Sequence, residues 1–205
     1  MPRLFLVRHG AVEGRKAFYG QLDVPLSDEG RAQIEVAAGA LAGLDLAAVH
    51  CSDLDRAHES ARIIAACHSL VPVPDAAFRE MHLGLLEGVP FAEVRQRHPD
   101  LAGKRYPDMW SYRFPDGGEN LQDIAARTRP ALARMIEAHR EGEQDLVLVA
   151  HNSVNRIVLG DALGLPLDWV FDFSQDFGCI NQIDYRPQRT RVVRLNWSPV
   201  LVRDR

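Results

Sequence analysis

Short apolar runs and longer segments of helical spacing alternate along this chain. Residues 4–7, 46–51 and 145–150 are short and mostly apolar, and we predict each as a buried strand. Apolar residues recur every three or four positions over 27–41 and 52–67, which predicts a helix after each of the first two strands. The order strand, helix, strand, helix is typical of α/β proteins, in which helical crossovers join parallel strands. Ligands of such sheets bind at the carboxyl ends of the strands.

Polar residues before the helical segments indicate where the helices begin. Ser27 is the predicted N-cap of the first helix, and Ser52 with Asp53 is the predicted cap of the second. Further helices are predicted over 90–98, 119–139 and 154–163. Pro130 lies inside the second of these three helices and is expected to kink it, because proline has no backbone N–H.

The remaining segments are predicted as edge strands and loops. Residues 70–76 contain two prolines and suit an extended edge segment, whereas 79–88 contain two glycines and suit a shaped loop. Residues 99–118 are rich in proline, glycine and aromatic residues and are predicted as a lid or insertion. Short strands or extended segments are predicted over 169–173, 178–185 and 191–197, the last two as a hairpin turning near Pro187.

Together these elements predict one α/β domain over residues 1–205. The expected architecture is a three-layer α/β/α arrangement around a mostly parallel central sheet. The sequence contains no repeat, low-complexity tract or linker that would divide it.

Composition excludes several other classes of protein. The formal net charge is −4, without the basic excess that nucleic-acid-binding domains usually show. Only four consecutive apolar residues occur near the N-terminus, too few for a signal peptide or a membrane span. Cys51, Cys67 and Cys179 are odd in number and widely spaced, so we expect reduced structural thiols. A cytoplasmic protein that binds neither nucleic acid nor a membrane is the expected result.

Two of the predicted strands end in a histidine, His9 and His151. Arg8 precedes the first histidine, and Arg56 lies at the start of the second helix. Guanidinium groups and helix N-termini both bind phosphate oxygens, and a neutral imidazole is a competent nucleophile toward phosphorus. The residues therefore predict a phosphate site with a histidine beneath it.

A leaving alkoxide would also need a proton, for which the loop at 79–88 offers Glu80 and Glu87. Taken singly, each of these residues has a simpler explanation. A histidine at the end of a strand is more often a structural hydrogen-bonding residue, and most arginines are solvated. The functional interpretation depends on their joint occurrence.

That joint pattern resembles the histidine phosphatase superfamily, also called phosphoglycerate mutase-like, whose hallmark is Arg-His-Gly directly after the first strand. Arg8, His9 and Gly10 match this signature. Other segments resemble further motifs of the family, namely 19–27, 51–57, 79–88, 116–120 and 147–151. The resemblance covers nearly the whole chain.

The resemblance implies a role for each matching residue. His9 is expected to form a phosphohistidine, while Arg8, Arg56 and His151 hold the phosphoryl oxygens without a metal or another cofactor. Glu80 matches the general acid that protonates the leaving oxygen and then activates water. Glu87 is expected instead to anchor its loop, and Gln21 is a further candidate for substrate binding.

The chain departs from the family pattern after each histidine. Ala11 and Val12 follow the signature where many members have an acidic and a hydroxyl residue. Asn152 and Ser153 follow His151 where glycine is frequent. Asn152 is therefore a candidate substrate-binding residue, either through its backbone amide or through its side chain.

The expected function is a metal-independent phosphomonoester hydrolase acting on a small phosphorylated metabolite. The short chain and the loop at 79–88 look closest to α-ribazole-5′-phosphate phosphatases and broad-specificity bacterial relatives, so α-ribazole-5′-phosphate is a candidate substrate. Two alternatives stay open, a cofactor-dependent phosphoglycerate mutase and a non-catalytic protein that binds a phosphate ligand. A homodimer is likewise an open alternative for the oligomeric state.

Overall fold

A six-stranded sheet in the order β3-β2-β4-β1-β5-β6 forms the centre of the fold. The computed structural model describes residues 2–14, 16–97, 99, 111–186 and 188–199. The strands are Arg3–Arg8 (β1), Leu46–Cys51 (β2), Val73–Pro74 (β3), Asp145–Ala150 (β4), Ile180–Asp184 (β5) and Arg191–Trp197 (β6). The first four strands of the chain are parallel, and β5 and β6 pair antiparallel. The predicted mostly parallel sheet is confirmed.

Both faces of the sheet are covered by helices, which explains the uninterrupted apolar runs. Successive side chains of a strand point to opposite faces. Leu4 and Leu6 pack in the core beneath the fourth and fifth helices, whereas Phe5 and Val7 pack beneath the first two. The helices are Asp28–Leu41 (α1), Asp55–Ala66 (α2), Phe91–Arg97 (α3), Leu121–Ala138 (α4) and Asn152–Leu163 (α5).

The predicted helix starts agree with the structure at α1 but not at α2. The hydroxyl of Ser27 accepts a hydrogen bond from the backbone of Gly30, which confirms this cap. Helix α2 begins after Leu54 with no side-chain cap, so the prediction that Ser52 and Asp53 cap it is wrong. The carboxylate of Asp53 instead binds both arms of the Arg79 guanidinium, at 2.7 and 2.6 Å. Asp53 therefore takes part in a long-range ion pair and does not cap the helix.

Two further predictions need correction. Helix α5 begins at Asn152, two residues before its predicted start at 154. Residues 169–173 do not form a strand, since a single 3-10 turn covers Leu167–Trp169. The guanidinium of Arg156 donates to the carbonyl oxygens of Val170 and Phe173. A side chain therefore binds this backbone where a neighbouring strand was expected.

The edges of the sheet agree with the predictions. Strand β3 lies at one edge, and the β5–β6 hairpin lies at the other, with Pro187 outside the described residues. Pro130 lies inside α4, which continues beyond this residue to Ala138. Most of the predicted lid at 99–118 falls outside the described residues, but residues 111–118 are described and include the buried ring of Phe114.

Two of the three cysteines lie in the interior of the fold. Cys51 and Cys179 are buried free thiols, whereas Cys67 is exposed at the end of α2 and so departs from the expected structural role. Within the described ranges, no helix combines the length and the apolar character needed to cross a bilayer.

Candidate active site

The two histidines meet because their strands are neighbours. Strands β1 and β4 are parallel, with Arg8 opposite Ala150, so the residue after each strand lies beside its counterpart. The backbone N–H of His9 donates to the carbonyl of Ala150 at 3.1 Å. The rings of His9 and His151 lie edge to face, with their centroids 5.0 Å apart. The structure therefore brings both predicted histidines to one point at the carboxyl edge of the sheet.

The ring of His9 is held in a defined tautomer. Its Nδ1 lies 2.7 Å from the carbonyl oxygen of Gly10, and a carbonyl can only accept, so Nδ1 carries the proton. The lone pair is then on Nε2. Burial of the ring, together with the positive charges of Arg56 and Arg8, lowers the pKa of His9 well below its usual value. His9 is thus a neutral imidazole with one nitrogen available as a nucleophile.

His151 differs in its hydrogen bonding. The residue is fully buried, and neither ring nitrogen has a hydrogen-bond partner within the described part of the chain. Burial, followed by the positive charge of Arg56, lowers the pKa of His151 as well. Since buried polar groups nearly always have a partner, the ring has unused hydrogen-bonding capacity beside His9.

The two predicted arginines are fixed by backbone carbonyls and by stacking. Arg56 is almost completely buried and donates to the carbonyl oxygens of Gly20 at 2.6 Å and Leu22 at 2.8 Å. Arg8 donates to the carbonyl of Gln175, and its guanidinium carbon lies 3.8 Å from the centre of the Phe177 ring. Two positive charges are therefore held in place next to the histidines, where they can bind an anion.

Glu80 reaches the same place from the loop at 79–88. One carboxylate oxygen accepts from the backbone N–H of Met81 at 2.7 Å. The other accepts at 3.3 Å from the N–H of Ser153, the second residue of α5. Glu80 also lines the cavity that contains His9. The carboxyl group therefore lies beside the first turn of α5 and lines the same cavity as His9.

Glu87 has the environment of an anchoring residue. Its Oε1 accepts from the backbone N–H groups of Gln21 at 2.8 Å and Leu83 at 3.1 Å. A Cβ atom at Gly20 would lie 2.2 Å from that same oxygen, so the close approach depends on glycine there. These contacts tie two loops together, in agreement with the anchoring role expected for Glu87.

The remaining two candidates occupy different positions. The side chain of Gln21 donates to the carbonyl oxygen of Glu80 at 3.1 Å and is not among the residues lining the cavity. Direct substrate binding by Gln21 stays a prediction. Asn152 lines the cavity as the first residue of α5, and its Oδ1 accepts from Nε of Arg156 at 2.7 Å.

A cavity of about 550 Å³ opens beside His9, whereas the fully buried His151 is not one of its lining residues. Its polar part includes Arg8, His9, Arg56, Glu80 and Asn152. Its apolar part includes Val12, Phe18, Leu83, Phe91, Phe114 and Phe171. One region of the cavity can therefore hold an anion, while the other can hold an apolar group.

Sequence reasoning missed three contributors to this site, Ser153, Gln175 and Phe177. Ser153 had a usable signal, because it directly follows a strand-end histidine where a helix begins. Gln175 and Phe177 lie in a loop without periodicity, and only the chain's return past the end of β1 brings them to Arg8. No local pattern indicates that return.

The chain is similar to known proteins in family pattern, in sequence and in structure. The model of the Histidine phosphatase superfamily (branch 1) matches residues 4–198. The chain is 35% identical over 157 residues to phosphoglycerate mutase-like protein 4 of Arabidopsis thaliana, covering 75% of this chain and 67% of that protein. It is 32% identical over 173 residues to glucosyl-3-phosphoglycerate phosphatase of Mycobacterium tuberculosis, covering 80% of this chain and 77% of that protein.

A solved structure shows the same fold. The α-ribazole phosphatase of Shigella flexneri superposes with a TM-score of 0.83 at 25% identity, covering 96% of each chain. The family match spans almost all of the chain and includes both histidines, both arginines and Glu80. The chain therefore belongs to the histidine phosphatase superfamily, and it is a hydrolase of the phosphatase type.

Proposed function

We propose that this phosphatase hydrolyses phosphomonoesters through a phosphohistidine formed on Nε2 of His9. The observation that carries the proposal is the pairing of a neutral His9, whose Nε2 has its lone pair free, with a buried His151 that has no hydrogen-bond partner among the described residues. Arg8 and Arg56 add two fixed positive charges beside the pair.

The first half of the reaction transfers the phosphoryl group to the enzyme. Nε2 of His9 attacks phosphorus, and the bond from phosphorus to the alcohol oxygen breaks. Arg8 and Arg56 stabilise the charge that develops on the phosphoryl oxygens, and a ring N–H of His151 donates to one of them. Because these donors are already in place, little reorganisation is needed when the transition state forms.

Glu80 serves both halves of the reaction. In its acid form it donates a proton to the alcohol oxygen as the bond to phosphorus breaks. Its carboxylate then accepts a proton from water, which attacks phosphorus and releases His9 and inorganic phosphate. The products are one alcohol and one phosphate for each ester and water consumed, and Glu80 ends in its acid form.

The apolar part of the cavity indicates the kind of alcohol that is released. Phe18, Phe91 and Phe171 offer ring faces and edges rather than hydrogen-bond donors, which favours an alcohol with an apolar or ring-containing part. We include α-ribazole-5′-phosphate as a candidate because its alcohol contains such a ring. Phenylpropyl phosphate should therefore have a higher kcat/KM than propyl phosphate, whose leaving oxygen is chemically similar.

A mutase is less well supported by the cavity. Such an enzyme must hold a second phosphate or carboxylate, yet the described lining residues add only the cation Lys16 to Arg8 and Arg56. Isomerisation of a phosphoglycerate that depends on a bisphosphate primer would identify a mutase and overturn the hydrolase proposal.

The direct test is turnover of p-nitrophenyl phosphate in excess EDTA by the wild type and by His9→Ala. We expect wild-type activity to persist, because no step above uses a metal, and the variant to be inactive. Equal activity of the two proteins would refute the histidine mechanism, and an inert wild type would favour a non-catalytic binding protein.

We also place the protein in the cytoplasm, acting on small phosphomonoesters rather than on nucleic acid or membranes. Three free thiols suit a reducing compartment, and the net charge of −4 does not suit a nucleic-acid surface. Cell fractionation followed by immunoblotting tests the location.

A further inference from the structure

The segment that carries Glu80 has little regular structure of its own, yet its backbone is held at several points by one side chain. Arg127 of α4 donates through Nη1 to the carbonyl oxygens of Ala77 at 2.9 Å and Arg79 at 2.7 Å. Its Nη2 donates to the carbonyl oxygen of Glu80 itself at 3.0 Å. The guanidinium thus fixes three carbonyl groups within four residues.

A carboxylate completes this arrangement on the other side of Glu80. Glu119 accepts from Nε and Nη2 of Arg127 at 2.8 and 2.9 Å, a two-point ion pair. The same carboxylate accepts from the backbone N–H of His82 at 2.9 Å. Burial opposes the ionisation of Glu119, but the bonds from Arg127 and His82 outweigh it and lower the pKa of this carboxyl. Arg127 and Glu119 therefore bind the backbone both before and after the proposed acid.

The support comes from a well-anchored helix. Asn120 and Asp123 form a reciprocal capping box at the start of α4, which fixes its first turn. Leu121 and Ile124 are fully buried in the core on the same turns. Arg127 is consequently attached to the helical layer, and its side chain is mostly shielded from solvent.

We propose that Arg127, supported by Glu119, is a positioning residue that places the carboxyl group of Glu80 at the leaving oxygen. Arg127 does not line the cavity and therefore acts through the backbone of residues 77–82 rather than on the substrate. The inference rests on the proposed role of Glu80 as general acid.

The physical reason lies in how Glu80 is oriented. Its carboxylate is aligned by N–H groups of Met81 and Ser153, which belong to separate segments. If the backbone at 77–82 shifts, the alignment with Ser153 is lost even though Glu80 is still present. A displacement of about 1 Å can cost on the order of 100-fold in rate.

The experiment compares two esters that differ in their need for an acid. Phenylpropyl phosphate has a poor leaving group that needs protonation, whereas p-nitrophenyl phosphate releases a stable phenolate. In Arg127→Lys, which keeps the charge but loses the fork, we expect kcat/KM to fall about 10- to 100-fold for the first ester and less than about threefold for the second. Glu80→Gln should show the same selectivity with a larger loss.

Arg129→Lys is the matched control, because it makes the same substitution on the same helix. Arg129 forms its own two-point ion pair with Asp161 of α5, at 2.9 and 2.7 Å, rather than with the loop. Its replacement by lysine loses the same two-point geometry and should leave kcat/KM unchanged for both esters.

Several results would overturn the proposal. If kcat/KM falls equally for both esters in Arg127→Lys, Arg127 has a general structural role. If kcat/KM stays at the wild-type value for both, the two-point geometry of the guanidinium is not needed. If this variant folds poorly, Glu119→Gln removes only the partner's charge and must show the same selectivity for the proposal to stand. If Glu80→Gln itself shows no selectivity, the role of Glu80 as acid is wrong and the positioning role falls with it.

Discussion

The two strand ends that form the site look alike in sequence and differ in chemistry. Strand β1 ends in Leu-Val-Arg followed by His9, and β4 ends in Leu-Val-Ala followed by His151. After β1 the chain enters a loop, and the Gly10 carbonyl accepts from the His9 ring. After β4 the chain enters α5 at once, so the matching Asn152 carbonyl belongs to a helix, and neither nitrogen of His151 has a partner in the described residues.

The difference teaches that the backbone after each strand decides whether the histidine ring finds a hydrogen-bond partner. At Gly10 the loop passes so close to α1 that a Cβ would lie 2.2 Å from the Gly30 carbonyl oxygen. Glycine therefore permits the path that brings its carbonyl to Nδ1 of His9. His9 has one ring nitrogen hydrogen-bonded, which suits the proposed nucleophile, whereas His151 has neither bonded within the described residues, which suits the proposed phosphoryl donor.

The largest expected effect separates the two roles most directly. His9→Ala removes the nucleophile, and we expect kcat to fall on the order of 10⁵-fold or more. Incubation with a ³²P-labelled ester followed by denaturation should give an acid-labile label on the wild type and none on the variant. A labelled variant would assign the nucleophile to another residue, His151 first.

His151→Ala should have a smaller and different effect. It removes one donor to the phosphoryl group, which typically costs about 10²- to 10³-fold in rate. The variant should still become labelled on His9, but more slowly, as rapid-quench labelling would show. Complete loss of labelling in a folded variant would mean that the two histidines are not divided into nucleophile and donor.

Asn152, the first residue of α5, tests what the helix after β4 contributes to the site. At the first position of α5 its N–H has no intrahelical acceptor, and proline is tolerated there because His151 is extended, with φ −124° and ψ 173°. We expect Asn152→Pro to lower kcat/KM about tenfold by removing a donor, and Asn152→Ala to lower it less than about threefold. The reverse order in steady-state kinetics would assign the effect to the side chain.

The smallest expected effect concerns stability, where the two histidines should behave alike. Both rings have a pKa well below 6.5 in the folded protein, mainly through burial, while unfolded histidines titrate near that value. As pH falls below about 6.5 the unfolded chain binds more protons, so each ring lowers the free energy of unfolding by up to about 1.4 kcal/mol per pH unit. Above that pH both states are neutral and the contribution vanishes.

Urea denaturation of the wild type and of His151→Asn at about pH 7.5 and about pH 5.5 measures this effect. The variant should lose less stability than the wild type between these two conditions. His9→Asn is the matched second variant and should behave in the same way. Identical losses in all three proteins would show that the buried rings are not neutral.

The elements predicted best are those whose signal is local. The apolar run at 4–7 became β1, and Ser27 caps α1, because burial pattern and side-chain capping are read over a few residues. The predicted cap by Ser52 and Asp53 and the strand at 169–173 were wrong for a shared reason. Arg79 and Arg156, both distant in sequence, bind the carboxylate or the carbonyls that the local pattern had assigned elsewhere.

The candidate site likewise contains residues with a local sequence signal and contacts without one. His9, His151, Arg8 and Arg56 could be proposed from the sequence because strand ends and helix starts mark where ligands bind. The hydrogen bonds that hold the backbone at Glu80 could not be predicted, because Arg127 is 47 residues away in the sequence. Contacts of that range depend on how the helices pack, and no periodicity in the chain records them.

By itself the sequence determined the α/β fold class, the mostly parallel sheet and the residues that we propose to bind phosphate. These follow from burial periodicity and from charged groups placed at strand ends. Only the tertiary structure decided which histidine carries the free Nε2 and what holds Glu80 in place. Both depend on backbone carbonyls whose positions are set by packing, as Gly10 against Gly30 and residues 77–82 against α4 show.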